Sequence, residues 1–405
     1  MRVLLVGSGG REHALAWRLA ASTGLDELHA APGNPGIASL ATCHPVAADD
    51  GDGLLGLARS LAADLVVVGP EAPLVRGVAD ALRHNGIPVF GPSAAAARIE
   101  GSKLFAKAVM AAAGVPTAAV LAEPRAPCVL KADGLAAGKG VIVCRTDAEL
   151  AAGLEVARGF DGAVLVEELL EGSEVSILAV CDGRDALALA PARDFKRAYD
   201  GDLGPNTGGM GSFAPVPEVG DAVLETLLET CVRPALAELA RRGTPFVGTL
   251  FAGLMLTEEG PRVLEFNCRF GDPETQSVLP LVEGDLLGAL AAAARGSLAG
   301  VRLGRVPASA VTVVLAAGGY PEHGDVGTPI EGVGDAERDG ALVFHAGTAL
   351  SDGRLVTNGG RLLGVTATGA DLGEARARAY SASDRIRIAG VRRREDVALE
   401  AAARR

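Results

Sequence analysis

The sequence predicts an α/β chain that begins with a doubly wound parallel sheet, continues with a small hinged lid and ends with an α+β unit. Up to about residue 98, short apolar strands alternate with glycine-containing loops and helices, which is the pattern of a parallel sheet. Strands and hairpins replace this alternation from about 119 to 185, and another set of strands with one helix starts near Val301. We therefore expect domains at 1–98, 99–300 and 301–405, with the lid at about 119–185 inside the second.

The composition is that of a globular protein and disfavours several classes of function. The chain has 405 residues, of which 49% are hydrophobic and 22% charged, and its formal net charge is −12. That charge opposes nonspecific binding to nucleic acid, and no apolar run approaches the roughly 20 residues that cross a bilayer. The six cysteines are scattered without a C-x-x-C pair, which disfavours structural zinc and a disulfide framework. We expect a cytoplasmic protein with no nucleic-acid or membrane partner.

The first loop of the predicted sheet resembles a dinucleotide-binding fingerprint but departs from it at one position. An apolar strand leads into Gly7-Ser8-Gly9-Gly10, and Glu12 stands where the fingerprint has its third glycine. The next candidate strand ends at 30–33 without the carboxylate that would bind a ribose. A nicotinamide cofactor is therefore disfavoured, although amides at a helix N-terminus suit another phosphate. Alternatively, residues 11–13 are ordinary first-turn residues.

The rest of the first domain repeats the strand, loop and helix unit. An apolar strand at 65–68 leads into Gly69-Pro70-Glu71, and an amphipathic helix and a strand at 87–90 follow. Ligands of such sheets bind at the carboxyl ends of the strands, which is where these loops lie. A helical segment from about 99 to 118 then ends at Val115-Pro116 and leads to the lid.

The stretch VLKADGLAAGKGVIV, at 129–143, places glycines and two lysines between two β-prone runs. Its glycine spacing and the strand that follows it differ from the G-x-x-x-x-G-K-[ST] phosphate loop, so we predict a hairpin whose glycine loop holds a phosphate. An ordinary surface turn is the alternative. Of the chain's five lysines, Lys103, Lys131, Lys139 and Lys196 lie beside glycine-rich or polar segments, whereas chance composition can account for Lys107 on its alanine-rich helix.

The segment 262–270, RVLEFNCRF, is the most informative for chemistry. In a strand, Leu264, Phe266, Cys268 and Phe270 would face one way, and Glu265, Asn267 and Arg269 the other. A carboxylate and an amide oxygen suit a hard cation such as Mg²⁺, and Arg269 could meet charge that develops during a reaction. The alternative is a solvated strand face. The polar run GDPETQ that follows at 271–276 favours the functional interpretation.

Two connecting segments complete the candidate site. Residues 166–174 link two strands, so their backbone could pair with an adenine edge while Glu174 accepts ribose hydroxyls. Residues 194–211 contain a glycine-rich loop that could close over a substrate, or could be a flexible connection. Helix is expected at 221–243, a long hairpin at 246–270 with its turn at 258–260, and later strands around 310–316, 341–346 and 361–367.

These segments together resemble the ATP-grasp ligases, and within them the branch that joins glycine to 5-phosphoribosylamine. The resemblance covers nearly the whole chain. It rests on GSGGREHALAW at 7–17, GPEAPLVRGV at 69–78, EGSK at 100–103, KADGLAAGKGV at 131–141, GPNTGGMG at 204–211, EFNCRFGDPETQ at 265–276, AAGGYP at 316–321, FHAGT at 344–348 and VTNGGR at 356–361. It implies an ATP-grasp fold after the N-terminal sheet domain.

The resemblance also implies an activity. ATP, glycine and 5-phosphoribosylamine would give glycinamide ribonucleotide, ADP and phosphate in purine biosynthesis, through a glycyl phosphate and with Mg²⁺ or Mn²⁺ as the metal. No protein nucleophile is needed, so the lack of a Ser-His-Asp or Cys-His signature is consistent with it. The protein would act as a monomer or weak homodimer in the cytoplasm.

Residue roles carry over from the matched motifs. The resemblance assigns Lys103 and Lys131 to the ATP phosphates or the adenine side, Glu167, Glu168, Leu169 and Leu170 to the adenine hinge, Glu174 to the ribose, and Arg197 and Asn206 to further nucleotide contacts. It assigns Glu265 and Asn267 to the metal, Lys131 and Arg269 to catalysis with Arg269 on the acyl phosphate, and Gly9, Gly10, Arg11 and Glu71 to phosphoribosylamine.

The chain departs from the family at two places, and three other functions stay open. The interval from 116 to 131 is short and lacks a helix before the lid, and the strand at 250–255 offers no second metal-binding glutamate. The nearest alternative is an ATP-grasp enzyme with another carboxylate substrate, such as a biotin-carboxylase-like enzyme. A nicotinamide oxidoreductase and a noncatalytic nucleotide-binding module are the other two.

Overall fold

The N-terminal part of the chain is a parallel five-stranded sheet, as predicted. The computed structural model describes residues 1–135, 140–160 and 162–403. The strands of the sheet are β1 (Arg2–Gly7), β2 (Glu27–Pro32), β3 (Thr42–Cys43), β4 (Leu65–Val68) and β5 (Val89–Phe90). Their order is β3-β2-β1-β4-β5, so the chain winds in both directions from the central strand β1.

Helices cover both faces of this sheet because its strands are apolar on both sides. Val3 and Leu5 of β1 pack into one hydrophobic cluster, and Leu4 and Val6 into another. The helices of this part are α1 (Gly10–Ala20), α2 (Gly51–Ser60), α3 (Glu71–Val75), α4 (Val78–His84) and α5 (Ala94–Gly101), and α6 (Lys103–Ala113) follows at the start of the middle domain. In the described residues no helix combines the length and apolar character needed to span a membrane.

A separate three-stranded sheet forms the lid. It consists of β6 (Cys128–Ala132), β7 (Val141–Cys144) and β8 (Val164–Glu168), with helix α7 (Asp147–Ala157) packed against it. Strands β6 and β7 are antiparallel, which confirms the predicted hairpin. Residues 136–139 of its loop, among them Gly138 and Lys139, lie outside the described residues. The lid has its own small core, which includes Leu130, Cys144 and Leu150.

The body of the middle domain is a four-stranded sheet in the order β10-β9-β15-β16. Its strands are β9 (Ser173–Asp182), β10 (Ala186–Ala188), β15 (Val247–Thr257) and β16 (Gly260–Asn267). The expected hairpin at 246–270 is confirmed by the antiparallel pair β15 and β16. Because β9 pairs with β15, the segment expected as lid at about 119–185 spans two sheets, and its last strand belongs to the body.

Shorter elements connect these sheets. They are β11 (Arg193–Asp194), β12 (Arg197–Tyr199), β13 (Leu203–Asn206), β14 (Gly211–Ala214), α8 (Asp221–Leu227), α9 (Arg233–Arg241), α10 (Glu274–Val278), β17 (Val282–Glu283), α11 (Leu286–Ala294) and β18 (Gly304–Arg305). Helices α8 and α9 are joined by a π-turn at Leu228–Val232, so the expected helical segment at 221–243 is confirmed.

The C-terminal part is built on an antiparallel sheet that also takes strands from the middle of the chain. Its elements are β19 (Ser309–Ala317), β20 (Asp325–Glu331), α12 (Val333–Arg338), β21 (Leu342–His345), β22 (Thr348–Ser351), β23 (Arg354–Gly359), β24 (Arg361–Gly369), α13 (Leu372–Ser383), β25 (Arg387–Ile388), β26 (Val391–Arg392) and α14 (Leu399–Ala403). The main sheet runs β11-β14-β19-β24-β21. Strands β11 and β14, which precede the expected domain boundary at residue 301, therefore belong to a sheet whose other strands follow that boundary.

The first and last parts of the chain contact each other directly behind the glycine loop. His345 N donates a hydrogen bond to His13 Nδ1 at 2.8 Å, and the Asn34 amide donates to Ser8 O and His345 O. Burial lowers the pKa of His13 to about 3, so its imidazole is neutral and can accept this bond. The contact fixes the C-terminal domain against the loop that starts α1, and it gives His13 a structural role.

Candidate active site

The carboxyl ends of β1 and β4 form one wall of the site, since a doubly wound sheet opens a crevice where its strand order reverses. Gly9 and Gly10 follow β1, and Glu71 begins α3 just after β4. The Glu12 carboxylate fills the turn, because its Oε2 accepts a hydrogen bond from Gly9 N at 2.6 Å and a Cβ added at Gly7 would overlap it. This geometry argues against a dinucleotide pyrophosphate in the crevice.

Two arginines and two glutamates lie together beside this wall. Arg269 Nε is 3.3 Å from Glu71 Oε2, and its Nη2 is 3.3 Å from Glu100 Oε1. Arg11 Nη1 is 3.9 Å from Glu71 Oε2 and donates to Phe270 O at 3.1 Å. The structure thus brings together three residues that the sequence singled out, Arg11, Glu71 and Arg269, and adds Glu100.

The charges in this cluster stabilise one another. Burial opposes ionisation of both Arg269 and Glu71, but the surrounding opposite charges outweigh this effect. They raise the pKa of Arg269 above its usual value and lower the pKa of Glu71 below its usual value. Glu100 differs, because burial raises its pKa and Arg269 only partly offsets that effect. Arg269 is therefore a fixed cation at this end of the site.

Strand β16 carries the residues that we assigned to a metal, but the predicted alternation of its faces needs one correction. Gly253 pairs with Glu265 and the next residue, Leu254, pairs with Val263, so Leu264 is the extra residue of a β-bulge. Val263 is consequently buried in the core with Phe266 and Cys268, whereas Leu264 is half-buried. The expectation that Leu264 packs with them was wrong.

Glu265 and Asn267 follow the bulge and share a face. Asn267 Nδ2 donates to Glu265 Oε1 at 3.3 Å, a long hydrogen bond that leaves most acceptor capacity of both side chains available. No group of three or more His, Cys, Asp or Glu side chains in the described residues could hold a metal. A carboxylate with an amide oxygen is the donor set of a hard cation that completes its shell with water and phosphate, so these two residues fit Mg²⁺.

Lysines of the body and the lid approach this strand. Lys103 begins α6, and its Nζ donates to Gly134 O of the lid hairpin at 2.9 Å. Burial lowers the pKa of Lys103, while the nearby carboxylates of Glu265 and Asp133 raise it. Lys131, on β6 of the lid, donates from Nζ to Leu264 O at 2.7 Å. The lid lysine and the candidate metal strand are therefore in direct contact.

The segment expected at an adenine hinge follows β8. The Glu167 side chain is 2% exposed and its carboxylate contacts two lysines. Glu168 Oε1 accepts a hydrogen bond from Ala119 N at 2.7 Å, and Leu169 and Leu170 are half-buried in the connection to β9. Because both carboxylates are engaged, we expect the backbone of the connection, rather than these two acidic side chains, to contact a base.

A second ionic cluster surrounds Lys196. Its Nζ lies 2.8 Å from Glu174 Oε2 and 2.6 Å from Asp194 Oδ1. Glu174, which we expected to accept ribose hydroxyls, therefore shares one carboxylate oxygen with a lysine. Ser176 Oγ donates to the carboxylate of Glu274 at 3.0 Å, and burial together with Asp194 raises the pKa of Glu274 to about 7 against the effect of Lys196.

We expect Glu274 to make stability depend on pH. Its pKa rises from an ordinary value near 4.5 to about 7, so its contribution is present at low pH and is lost as pH increases through that interval. Between pH 5 and pH 8, the free energy of unfolding should fall in both proteins, but the fall should be smaller in Glu274→Gln than in the wild type. The difference between the two falls should be about 2 kcal/mol. Urea unfolding at both pH values measures this difference, and equal slopes for the two proteins would contradict it.

Arg197 and Asn206 lie where the middle domain, the lid and the C-terminal domain meet. Arg197 Nη1 donates to Gly204 O at 2.7 Å, and Asn206 Nδ2 donates to Val141 O on lid strand β7 at 3.3 Å. Both residues line a cavity of about 330 Å³, together with lid residues 141–143 and Glu322. The loop at 204–211 is thus tied to the lid edge.

The same loop is held by the C-terminal domain. Gly208 N donates to Tyr320 Oη at 2.8 Å, and Arg361 Nη1 donates to Gly208 O. Arg361 also forms a 2.8 Å ion pair with Asp272, whose carboxylate lies beside Gly9. Contacts on both sides therefore fix the segment that the sequence presented as either a closing loop or a flexible connection.

The structure places further polar residues in contact with the expected ones or next to them. Glu100, Asp272, Glu274, Tyr320 and Arg361 were not selected from the sequence as site residues. All five lie in or next to the motifs that carry the family resemblance, but their partners are remote in sequence. Glu100 Oε2, for example, accepts a hydrogen bond from Cys268 N at 2.7 Å across 168 positions. Their position in or near these motifs was the sequence feature that could have indicated a role for these five residues. It could not indicate which residues they contact.

Known proteins resemble the chain along its length. The phosphoribosylglycinamide synthetase N, ATP-grasp (A) and C domain models match residues 1–100, 101–275 and 310–400. A protein named phosphoribosylamine–glycine ligase from Streptomyces coelicolor is 52% identical to it, over 99% of this chain and 100% of that protein. A protein of the same name from Agrobacterium fabrum is 48% identical, over 100% of this chain and 99% of that protein. A phosphoribosylamine–glycine ligase crystal structure from Thermotoga maritima superposes with a TM-score of 0.84 at 36% identity, covering 98% of this chain and 100% of that one.

The parallel N-terminal sheet, the three-stranded lid and the four-stranded body place the chain in the ATP-grasp class. A biotin carboxylase domain of the Hydrogenobacter thermophilus 2-oxoglutarate carboxylase, solved with MgADP and bicarbonate, has the same fold, with a TM-score of 0.70 at 18% identity over 96% of this chain and 91% of that one. Within this class, the chain belongs to the phosphoribosylglycinamide synthetase family.

Proposed function

We propose that the protein ligates glycine to 5-phosphoribosylamine at the expense of ATP, giving glycinamide ribonucleotide, ADP and phosphate. The observation that carries this proposal is the contact between the lid and the strand of Glu265, in which Lys131 Nζ donates to Leu264 O at 2.7 Å. A lid cation and a metal-binding carboxylate that adjoin can act on one triphosphate. Membership of the family supplies the choice of the two other substrates.

ATP would lie between the lid and the body. Lys103 and Lys131 would contact its phosphates or the adenine side, and backbone groups of residues 167–170 would pair with the adenine edge. Glu174 retains Oε1 for ribose hydroxyls, because Lys196 lies on Oε2. Arg197 and Asn206 would contribute further contacts from the cavity that they line. Glu265 and Asn267 would hold Mg²⁺, or Mn²⁺, which neutralises phosphate charge and orients the oxygens when bound.

The chemistry would proceed in two steps without a protein nucleophile. The glycine carboxylate attacks the γ-phosphorus of ATP, which forms glycyl phosphate and releases ADP. The substrate amine then attacks the acyl carbon, the amide bond forms, and phosphate leaves as the amine loses a proton. Arg269, held by Glu71 and Glu100, would stabilise negative charge on the acyl phosphate, and a closed lid would exclude water from it.

Phosphoribosylamine would bind at the carboxyl ends of β1 and β4. Gly9 and Gly10 lie there at the start of α1, and Arg11 and Glu71 lie beside Arg269. This position would put the amine near the cation that is proposed to hold the acyl phosphate. We also propose that the domains divide at 1–98, 99–300 and 301–405, and that the enzyme acts in the cytoplasm as a monomer or weak homodimer.

A substrate-omission assay tests the function. We expect phosphate release and a glycinamide ribonucleotide product when ATP, Mg²⁺, glycine and phosphoribosylamine are all present, with at least about a hundredfold loss of product when any one substrate is omitted. Alanine in place of glycine is the matched control. Phosphate release that depends on bicarbonate would instead favour a biotin-carboxylase-like activity, and the absence of ATP turnover would favour a binding module.

A further inference from the structure

Three charged side chains form a buried row at the junction of the lid and the body. Glu167 lies on lid strand β8. Its Oε1 is 2.8 Å from Lys107 Nζ, and its Oε2 is 2.7 Å from Lys131 Nζ. The side chains of Glu167, Lys107 and Lys131 are 2%, 12% and 9% exposed. We call these three residues the lysine–glutamate triad. Chance composition could account for Lys107 in the sequence, whereas the structure gives its ammonium contacts with Glu167, Thr117 and Ala118.

The two lysines of the triad differ in what else they contact. Lys107 Nζ also donates to Thr117 Oγ1 at 2.8 Å and to Ala118 O at 2.7 Å, so three oxygens surround it and an ammonium has three N–H groups. Among the described residues, Lys131 Nζ has two oxygen partners, Glu167 and Leu264 O. Lys131 therefore keeps an N–H for a ligand, whereas Lys107 is more fully engaged, by two hydrogen bonds and the ion pair with Glu167.

Charge gives the second asymmetry. A glutamate paired with Lys131 alone would form a neutral pair, and the field of such a pair at a nearby phosphate is weak. Lys107 supplies a second positive charge, so the triad has a net charge of +1 despite the buried carboxylate. The attraction of the carboxylate to each lysine in turn offsets the repulsion between the two lysines, which water screens poorly at this buried position.

The triad also joins the lid to the body. Lys107 belongs to α6 of the body, whereas Glu167 and Lys131 belong to two adjacent strands of the lid. Thr117, which contacts Lys107, donates from its hydroxyl to Val263 O on β16 at 2.7 Å. The triad is therefore anchored beside the bulge of the strand that carries Glu265.

We propose that Lys107 is a positioning residue for ATP, which neutralises Glu167 from the body side so that the charge and the free N–H of Lys131 remain available to the nucleotide. Lys107 does not itself contact ATP. This inference rests on the proposed function, in which Lys131 binds the nucleotide. It gives a role to a buried lysine that the reaction does not otherwise use.

The test compares ATP affinity among variants that set the triad charge to different values. The dissociation constant for ATP with Mg²⁺ is measured by calorimetry on the full chain. Lys107→Met makes the triad neutral and should weaken ATP binding about tenfold. Lys107→Met combined with Glu167→Gln restores a net charge of +1 and should return the constant to within about threefold of wild type. Arg145→Met, which removes an exposed positive charge from the lid, is the matched control and should bind as wild type does.

Each outcome bears on the inference. Wild-type affinity in Lys107→Met would overturn it, and so would a double variant as weak as Lys107→Met, since that result would indicate packing rather than charge. If Lys107→Met does not fold, Lys107→Gln, whose amide can still donate to Thr117 or Ala118, is measured in its place with the same expected loss. Failure of the wild type to bind ATP would refute the proposed function itself. That outcome differs from the results above, in which the wild type binds ATP and only the role of Lys107 is refuted.

Discussion

Glu265→Ala is expected to abolish ligation while the fold remains intact. The Glu265 side chain is half-buried, and its described hydrogen bond is the 3.3 Å contact from Asn267, so its loss should change stability by less than about 1 kcal/mol. Catalysis depends on it far more, because the metal that it is proposed to hold neutralises the transferred phosphate. We expect turnover to fall at least about a thousandfold at ordinary magnesium concentrations.

Three measurements separate the metal role from a structural one. The thermal unfolding midpoint of Glu265→Ala should match that of the wild type. Glu265→Gln, which keeps the shape and loses the charge, should recover part of its activity as magnesium is raised. Glu259→Ala provides the matched control, since Glu259 lies at the exposed turn of the same hairpin and pairs with Arg262. Unchanged turnover of Glu265→Ala would contradict the assignment of the metal site.

Local pattern was sufficient for most of the fold. The alternation of apolar strands with glycine turns and helices identified the parallel sheet, because β1 and β4 are buried on both faces and cannot form stable structure without helices around them. Period-two alternation likewise identified β16, but it failed at Leu264. A bulge depends on the pairing of two strands, and no property of the residues 262–270 alone specifies where the partner strand β15 shifts its register.

Long-range pairing limited the prediction of the site in the same way. The sequence identified residues whose type and position in a motif suggest chemistry, such as Glu265 and Arg269. It could not identify Glu100 as a partner of Arg269, or Lys107 as a partner of Glu167, because each pair is formed by tertiary contact between separate elements. Burial and charge decide what these residues do, and both are properties of the folded chain.

Arg269→Lys is expected to lower kcat about a hundredfold or more and to leave the KM for ATP nearly unchanged. The planar guanidinium lies 3.3 Å from both Glu71 and Glu100, and its Nη1 donates to Phe270 O. Because a guanidinium has five N–H donors, these contacts leave donors for the proposed acyl phosphate. A lysine has a single ammonium and cannot contact two carboxylates and a phosphate with the same geometry. Steady-state kinetics with ATP and with glycine as the varied substrates measure the two parameters.

A stability measurement is needed beside the kinetics, because Glu100 is buried and burial raises its pKa. Arg269→Met would leave Glu100 without its arginine and should destabilise the protein by about 3 kcal/mol, which would obscure the catalytic effect. Lysine retains the charge and avoids most of that loss. Arg11→Lys is the matched comparison, since Arg11 shares Glu71 but lies on the proposed phosphoribosylamine side. It should raise the KM for phosphoribosylamine more than it lowers kcat, and the same kinetic pattern in both variants would argue against a distinct role for Arg269 in stabilising the acyl phosphate.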